Sequence, residues 1–179
     1  MVFGHSLGGR IAINAVPNLQ GIKGLAISGT PPLSLPPKLE ASFLPNPAMG
    51  LAFKPDLSDE ELHTLAENYL SENNVNLPKV KESIKEADPL VRAFIGKSIA
   101  TELINDEVEI LEKTKVPVAV IQGQNDRLVN NSYIKELTIP ALWQDEVKVI
   151  EKASHCPFLD NPHLFNNYLS RFLKHCFLQ

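Results

Sequence analysis

Three side chains acting together can hydrolyse an acyl bond. A serine attacks, a histidine takes its proton, and a carboxylate orients the histidine. The chain offers one of each in a marked setting. Ser6 lies in Gly4-His5-Ser6-Leu7-Gly8-Gly9, after the short apolar run Met1-Val2-Phe3 and before a stretch that Ile11, Ala12, Ala15 and Val16 continue as a helix up to Pro17. Gly-x-Ser-x-Gly is the spacing of a nucleophile elbow, a strained strand-to-helix turn that leaves the serine hydroxyl exposed. The glycines are expected to act sterically, because side chains two residues either side of Ser6 would collide where strand and helix approach. Leu7 N–H, at the helix N-terminus, then faces the oxyanion that develops during attack on a carbonyl.

The partners follow in order. Asp126 ends Gly123-Gln124-Asn125-Asp126 after the β-branched run 116–123, and His155 sits in Ser154-His155-Cys156-Pro157-Phe158 after the run 146–150. A serine hydroxyl is a poor nucleophile at neutral pH, so it needs a base, and histidine has the suitable pKa. A carboxylate on the other ring nitrogen fixes the tautomer and stabilises the imidazolium. Alone, Asp126 reads as a turn former and His155 as a packed or surface histidine. Their order and their positions after separate strands point to a Ser6–His155–Asp126 triad. Cys156 is read as a bystander, Asp160 and Asn161 as caps of the last helix, and His63, His163 and His175 as solvated helix positions.

The elements that must position these groups alternate in type. Strands are expected at residues 1–3, 21–28, 116–123 and 146–150, with helices between them, an order that argues for a parallel sheet with crossover helices. Residues 31–115 break the alternation. Seven of the chain's fourteen prolines fall between Pro31 and Pro55, among apolar residues such as Phe43, Met49 and Phe53. Ser58-Asp59-Glu60-Glu61 is a capping box that opens a helix, residues 79–87 form another, and Asp88-Pro89 opens a third with Leu90, Val91, Phe94 and Ile95 on one face. The domain reading is therefore a core of 1–30 and 116–179 interrupted by a helical cap insertion at 31–115. Asn161-Pro162 starts the final helix, whose apolar face is Leu164, Phe165, Tyr168, Leu169, Phe172 and Leu173.

Composition narrows the function. With 179 residues, 44% hydrophobic content and a net charge of −4 without a basic run, the chain can bury a core and is not expected to bind nucleic acid. Two cysteines without metal or CxxC spacing suit a reducing compartment, and no apolar run reaches the roughly 20 residues that span a bilayer. A cytoplasmic protein acting on a small acyl substrate, with no membrane association, is expected.

The three catalytic segments resemble the α/β-hydrolase superfamily across the whole chain. Ser28-Gly29-Thr30-Pro31-Pro32, Leu142-Trp143 and residues 168–173 are further similar to the N-acyl-homoserine lactonases of that fold. The resemblance implies an α/β class with a partial α/β-hydrolase fold: strands five to eight of the family's parallel sheet, crossover helices, and a cap between strands six and seven. It implies neither a metal nor an organic cofactor. Serine at the nucleophile position argues against the haloalkane dehalogenase and epoxide hydrolase branches, which place Asp there. The family has further strands before the elbow, including a loop that supplies a second oxyanion N–H. The chain is therefore expected to be the C-terminal part of a longer hydrolase and inactive alone, with an unpaired apolar edge on its first strand. The function expected of the parent is ester or lactone hydrolysis, with acyl-homoserine lactone as the first substrate. The alternatives are a peptidase or carbon–carbon hydrolase of the same fold, a non-catalytic binding protein on its scaffold, or a purely structural fragment.

Overall fold

The computed structural model of the chain describes residues 1–101 and 105–178. In chain order its elements are β1 (Val2–His5), α1 (Leu7–Ala15), β2 (Leu25–Ser28), α2 (Leu39–Ser42), α3 (Asp59–Tyr69), α4 (Leu77–Glu86), α5 (Pro89–Ala100), α6 (Glu107–Lys113), β3 (Val118–Gly123), α7 (Asn131–Glu136), β4 (Lys148–Ile150), α8 (Pro157–Asp160) and α9 (Pro162–Phe177). Short 3-10 segments occupy Val16–Asn18, Pro47–Phe53 and Trp143–Asp145. The expected insertion at 31–115 includes residues 102–104, which lie outside the described residues.

The four strands form one parallel sheet in the order β1-β2-β3-β4, with Val2 opposite Leu25, Leu25 opposite Val118 and Ile121 opposite Lys148. Parallel strands need crossovers, so both sheet faces must be covered and the central strands are apolar on both. Leu25, Ile27, Val118 and Val120 point to one face, where they pack with Ala12, Ile13 and Val16 near α1 and with Leu111 of α6. The alternate positions Ala26 and Ala119 face the other way, onto Trp143 and Phe172, and Ile121 and Ile150 meet Phe165. Small residues at 26 and 119 leave room for the large rings of α9 and its neighbourhood.

Local signals fixed several helix starts. Ser58 Oγ accepts from Glu61 N while the Glu61 carboxylate accepts from Ser58 N, a complete capping box. Asp88 accepts from Leu90 N at the start of α5, and Asn161 accepts from Leu164 N at the start of α9. The α5 face differs from expectation. Leu90 (74% exposed) and Phe94 (70% exposed) point outward, whereas Ile95 faces inward. Among the described residues no helix is long and apolar enough to cross a membrane.

Candidate active site

β1 and α1 meet at Ser6, which takes φ 51° and ψ −120°, a left-handed conformation that side-chain-bearing residues avoid. Backbone bonds hold it there. Ser6 N donates to Ser28 O at 2.9 Å, and Ser6 O accepts from Gly9 N, Arg10 N and Thr30 Oγ1. The Ser6 side chain makes no capping bond, so the hydroxyl is not committed to its own helix. Leu7 is the first residue of α1, where N–H groups have no intrahelical acceptor.

The two flanking glycines differ, which corrects the symmetrical expectation. A Cβ at Gly4 would run into the backbone of Gly8 and Gly9, with the Gly9 Cα 2.6 Å away, but a Cβ at Gly8 would meet nothing within 4 Å. The second steric constraint lies at Gly9 instead, where a Cβ would overlap the Thr30 side chain. Strand and helix thus approach on the Gly4 and Gly9 sides, and Gly8 faces open space.

Asp126 and His155 come together on loops that leave β3 and β4. Asn125 N donates to Ala153 O at 2.8 Å and Gln124 N to Ile150 O at 2.9 Å, which ties the two loops. Gly123 is required there, because a Cβ would collide with the Ser154 carbonyl. Asp126 Oδ2 lies 2.9 Å from His155 Nδ1, and Asp126 Oδ1 accepts from Leu128 N at 2.8 Å and Val129 N at 3.0 Å. Both side chains are buried. Burial pushes the Asp126 carboxyl upward, but the His155 charge and the hydrogen bonds from His155, Val129 and Leu128 outweigh it and hold the group below its ordinary value. An ionised carboxylate only accepts, so His155 Nδ1 carries the hydrogen and Nε2 is the basic nitrogen.

Residues without a local sequence signal complete the surroundings. His5 Nε2 donates to the His155 carbonyl at 2.9 Å, and its ring stands 4.8 Å from the His155 ring and 4.9 Å from Phe158. Burial, then the His155 charge, lower the His5 pKa to about 4, so it is a neutral donor at pH 7. Gly29, at φ 55°, leaves space for both imidazoles, since a Cβ would sit 2.9 Å from His5 Nε2 and 3.0 Å from His155 Cε1. Tyr69 closes the other side of the His155 ring at 5.2 Å, and its carbonyl accepts from Cys156 N. Cys156 lines the cavity with its thiol pushed up to about 12 by burial, then by Asp160 and Asp126, which makes it a poor nucleophile.

Asp160 departs from its expected role. Asn161 alone caps α9, while Asp160 Oδ1 accepts from Ser71 N, Ser71 Oγ and Asn74 Nδ2, and Oδ2 accepts from Ser154 N at 2.6 Å. It joins the loop after α3 to the backbone just before His155. The sequence shows only an acid beside a helix start, and its partners lie up to 89 positions away.

Ser6 and His155 both line a cavity of about 670 Å³, together with Leu7, Tyr69 and aliphatic residues of α4 and α5, while Asp126 stays behind His155. Among the described residues no group of three His, Cys, Asp or Glu could hold a metal ion. His63 pairs with Glu67 at the surface, and His175 lies against Phe172.

A family model described as serine aminopeptidase, S33, matches residues 1–162. Among solved structures, the N-acyl homoserine lactonase AidH complexed with N-butanoyl homoserine superposes with a TM-score of 0.93 at 26% identity, covering 100% of this chain and 64% of that one. The esterase RhEst1 from Rhodococcus sp. ECU1013 superposes at 0.75 with 18% identity, covering 97% and 64% of the two chains. The 2-hydroxy-6-oxo-6-phenylhexa-2,4-dienoate hydrolase from Rhodococcus sp. strain RHA1 does so at 0.71 with 18% identity, covering 96% and 63%. These last two likenesses show the fold alone. The chain spans 64% of the length of the lactonase it matches. No curated protein matches it.

Proposed function

The chain belongs to the α/β-hydrolase family described as serine aminopeptidase, S33, and we propose that it carries the catalytic triad of a serine hydrolase acting on an ester or lactone. The observation that carries the reading is the 2.9 Å Asp126–His155 pair set behind a cavity that His155 shares with the strained Ser6. Ser6 Oγ attacks the substrate carbonyl while His155 Nε2 takes its proton, and Asp126 stabilises the imidazolium. Leu7 N–H donates to the oxyanion. His155 then protonates the leaving alkoxide, which departs as the alcohol. Water, deprotonated by the same nitrogen, next cleaves the Ser6 acyl-enzyme and releases the acid.

The cavity supports an acyl substrate over a peptide. A peptidase selecting a free N-terminus needs acidic side chains to hold the amine. Among the described residues that line the cavity the acidic one is Asp88, and its carboxylate is bonded to Leu90 N. The rest of the wall is largely apolar, from Phe43 and Met49 to Val91 and Ile95. The structural likeness to an N-acyl homoserine lactonase makes an acyl-homoserine lactone the first substrate to assay. The helices of residues 31–115 act as its cap in this reading, and the site of action is the cytoplasm.

The test is covalent labelling by a fluorophosphonate of the protein that contains these residues, beside its Ser6→Ala variant. Labelling that disappears in the variant is expected, with lactone opening faster than cleavage of an aminoacyl arylamide. Equal labelling of both proteins, or of neither, overturns the reading, and the second result favours a ligand-binding role.

A further inference from the structure

Arg10 lies one turn beyond Ser6 on α1, and its N–H donates to the Ser6 carbonyl at 3.3 Å. Residues four apart on a helix share a face, so the Arg10 side chain leaves α1 on the nucleophile's side. It is 9% exposed and lines the cavity. Its Nε donates to Glu107 Oε1 at 2.9 Å and Oε2 at 3.1 Å, and Glu107 is itself fixed by Asn14 Nδ2 and Leu33 N. Among the described residues neither Nη atom of Arg10 has a hydrogen-bond partner, which leaves four N–H donors of a rigid fork without an acceptor among them. The other guanidinium at this cavity is occupied. Arg92 donates from Nε, Nη1 and Nη2 to the carbonyls of Lys54, Ile84, Ala87 and Pro55.

Both Nη atoms are accessible rather than sealed in the protein, so water can meet them, and a ligand oxygen that makes the same hydrogen bonds can replace it. Glu107 already balances the Arg10 charge. A carboxylate entering there would meet Glu107 as well, whereas a neutral oxygen meets only the N–H groups. We propose that the two Nη atoms of Arg10 form a polar subsite for a neutral oxygen, a ketone or amide carbonyl, carried on the acyl chain of the substrate. That the oxygen belongs to the acyl part rests on the serine-hydrolase reading above.

Binding in the Ser6→Ala background separates the two questions, because it needs no turnover. Calorimetry is run with hexanamide and its 3-oxo, 4-oxo and 5-oxo derivatives, which walk one ketone along the chain. At least one ketone is expected to bind about tenfold more tightly than hexanamide, the worth of one good hydrogen bond. Arg10→Lys keeps an ion pair with Glu107 but loses the fork, and should bring the ratio close to one. The paired change Arg10→Gln with Glu107→Gln should do the same without leaving a buried charge. Equal affinities for all four amides, binding of none, or a preference that survives both replacements overturns the subsite. A preference that Arg10 controls, in a protein that fluorophosphonate does not label, upholds the subsite and refutes the hydrolase.

Discussion

A methyl group added at Gly4 lands on the backbone of Gly8 and Gly9, so Gly4→Ala must push β1 and α1 apart, at a cost of about 3 kcal/mol or more. Gly8→Ala adds a methyl to open space within a helix and should be neutral or stabilise by up to about 1 kcal/mol. Urea midpoints of the two variants check the contrast. On the proposed serine-hydrolase mechanism, Asp126→Asn in the protein that contains these residues keeps the shape but lets His155 take the wrong tautomer, and kcat for ester hydrolysis should fall by about 10⁴. His5 makes a prediction about pH. Its pKa is near 4 when folded and 6.5 when unfolded, so the unfolded chain binds the extra proton between those values. The His5 contribution is therefore complete above pH 6.5 and falls as the pH drops toward 4, by about 2 kcal/mol at pH 5 relative to pH 7. Asp126, lowered in the folded state, works in the same direction, and its contribution fades as pH falls through its folded value. His5→Gln should remove the His5 part of the slope in urea titrations between pH 7 and 5, and an unchanged slope would refute the assignment. The places of Ser6, Asp126 and His155 after β1, β3 and β4 were legible because each follows a strand signal. His5 occupies the variable place of the motif, and Tyr69 reaches His155 across 86 positions, so neither could be read locally.

Element by element, capping chemistry was the most readable layer. Ser58, Asp88 and Asn161 each cap the helix their sequence announces, because the interaction spans only two or three residues. Orientation was harder. The apolar residues of α5 mark a stripe, but only packing decides which side turns inward, and here Ile95 lines the cavity while Phe94 is left outside. The tie between α1 and α6 was not legible at all. Glu107 is fully buried, bonded to Arg10, Asn14 and Leu33 N, and its own N–H donates to Leu33 O at 2.8 Å. It joins the helix that leaves the elbow to the loop after β2. Glu107→Ala strands a buried Arg10 charge and should destabilise by about 3–5 kcal/mol, whereas Arg10→Met combined with Glu107→Leu should recover most of that loss. Equilibrium unfolding of the single and double variants measures the difference, and additive losses would show that the two side chains do not act as a pair.

Across the molecule, the order of strands in space repeats their order in sequence, and for that reason the parallel sheet could be expected from the alternation of elements alone. The cavity could not be, because its wall joins α4 and α5 to loops that follow β1, β3 and β4. The same order sets the two ends of the sheet. β1 is an end strand, and among the described residues β2 is the strand that pairs with it. Its outer edge carries peptide groups that point away from β2, beside Phe3, which is 38% exposed and meets Phe165 edge-on at 5.6 Å. An apolar strand edge is a template for pairing with another strand. The 179-residue chain should therefore self-associate as its concentration rises, and Phe3→Lys, which places a charge on that edge, should shift sedimentation toward the monomer. The replacement also gives up one aromatic pair worth about 1 kcal/mol, so unfolding is measured on the same samples. A chain that stays monomeric at every concentration, or association that Phe3→Lys leaves unchanged in a folded variant, would remove the β1 edge as the cause.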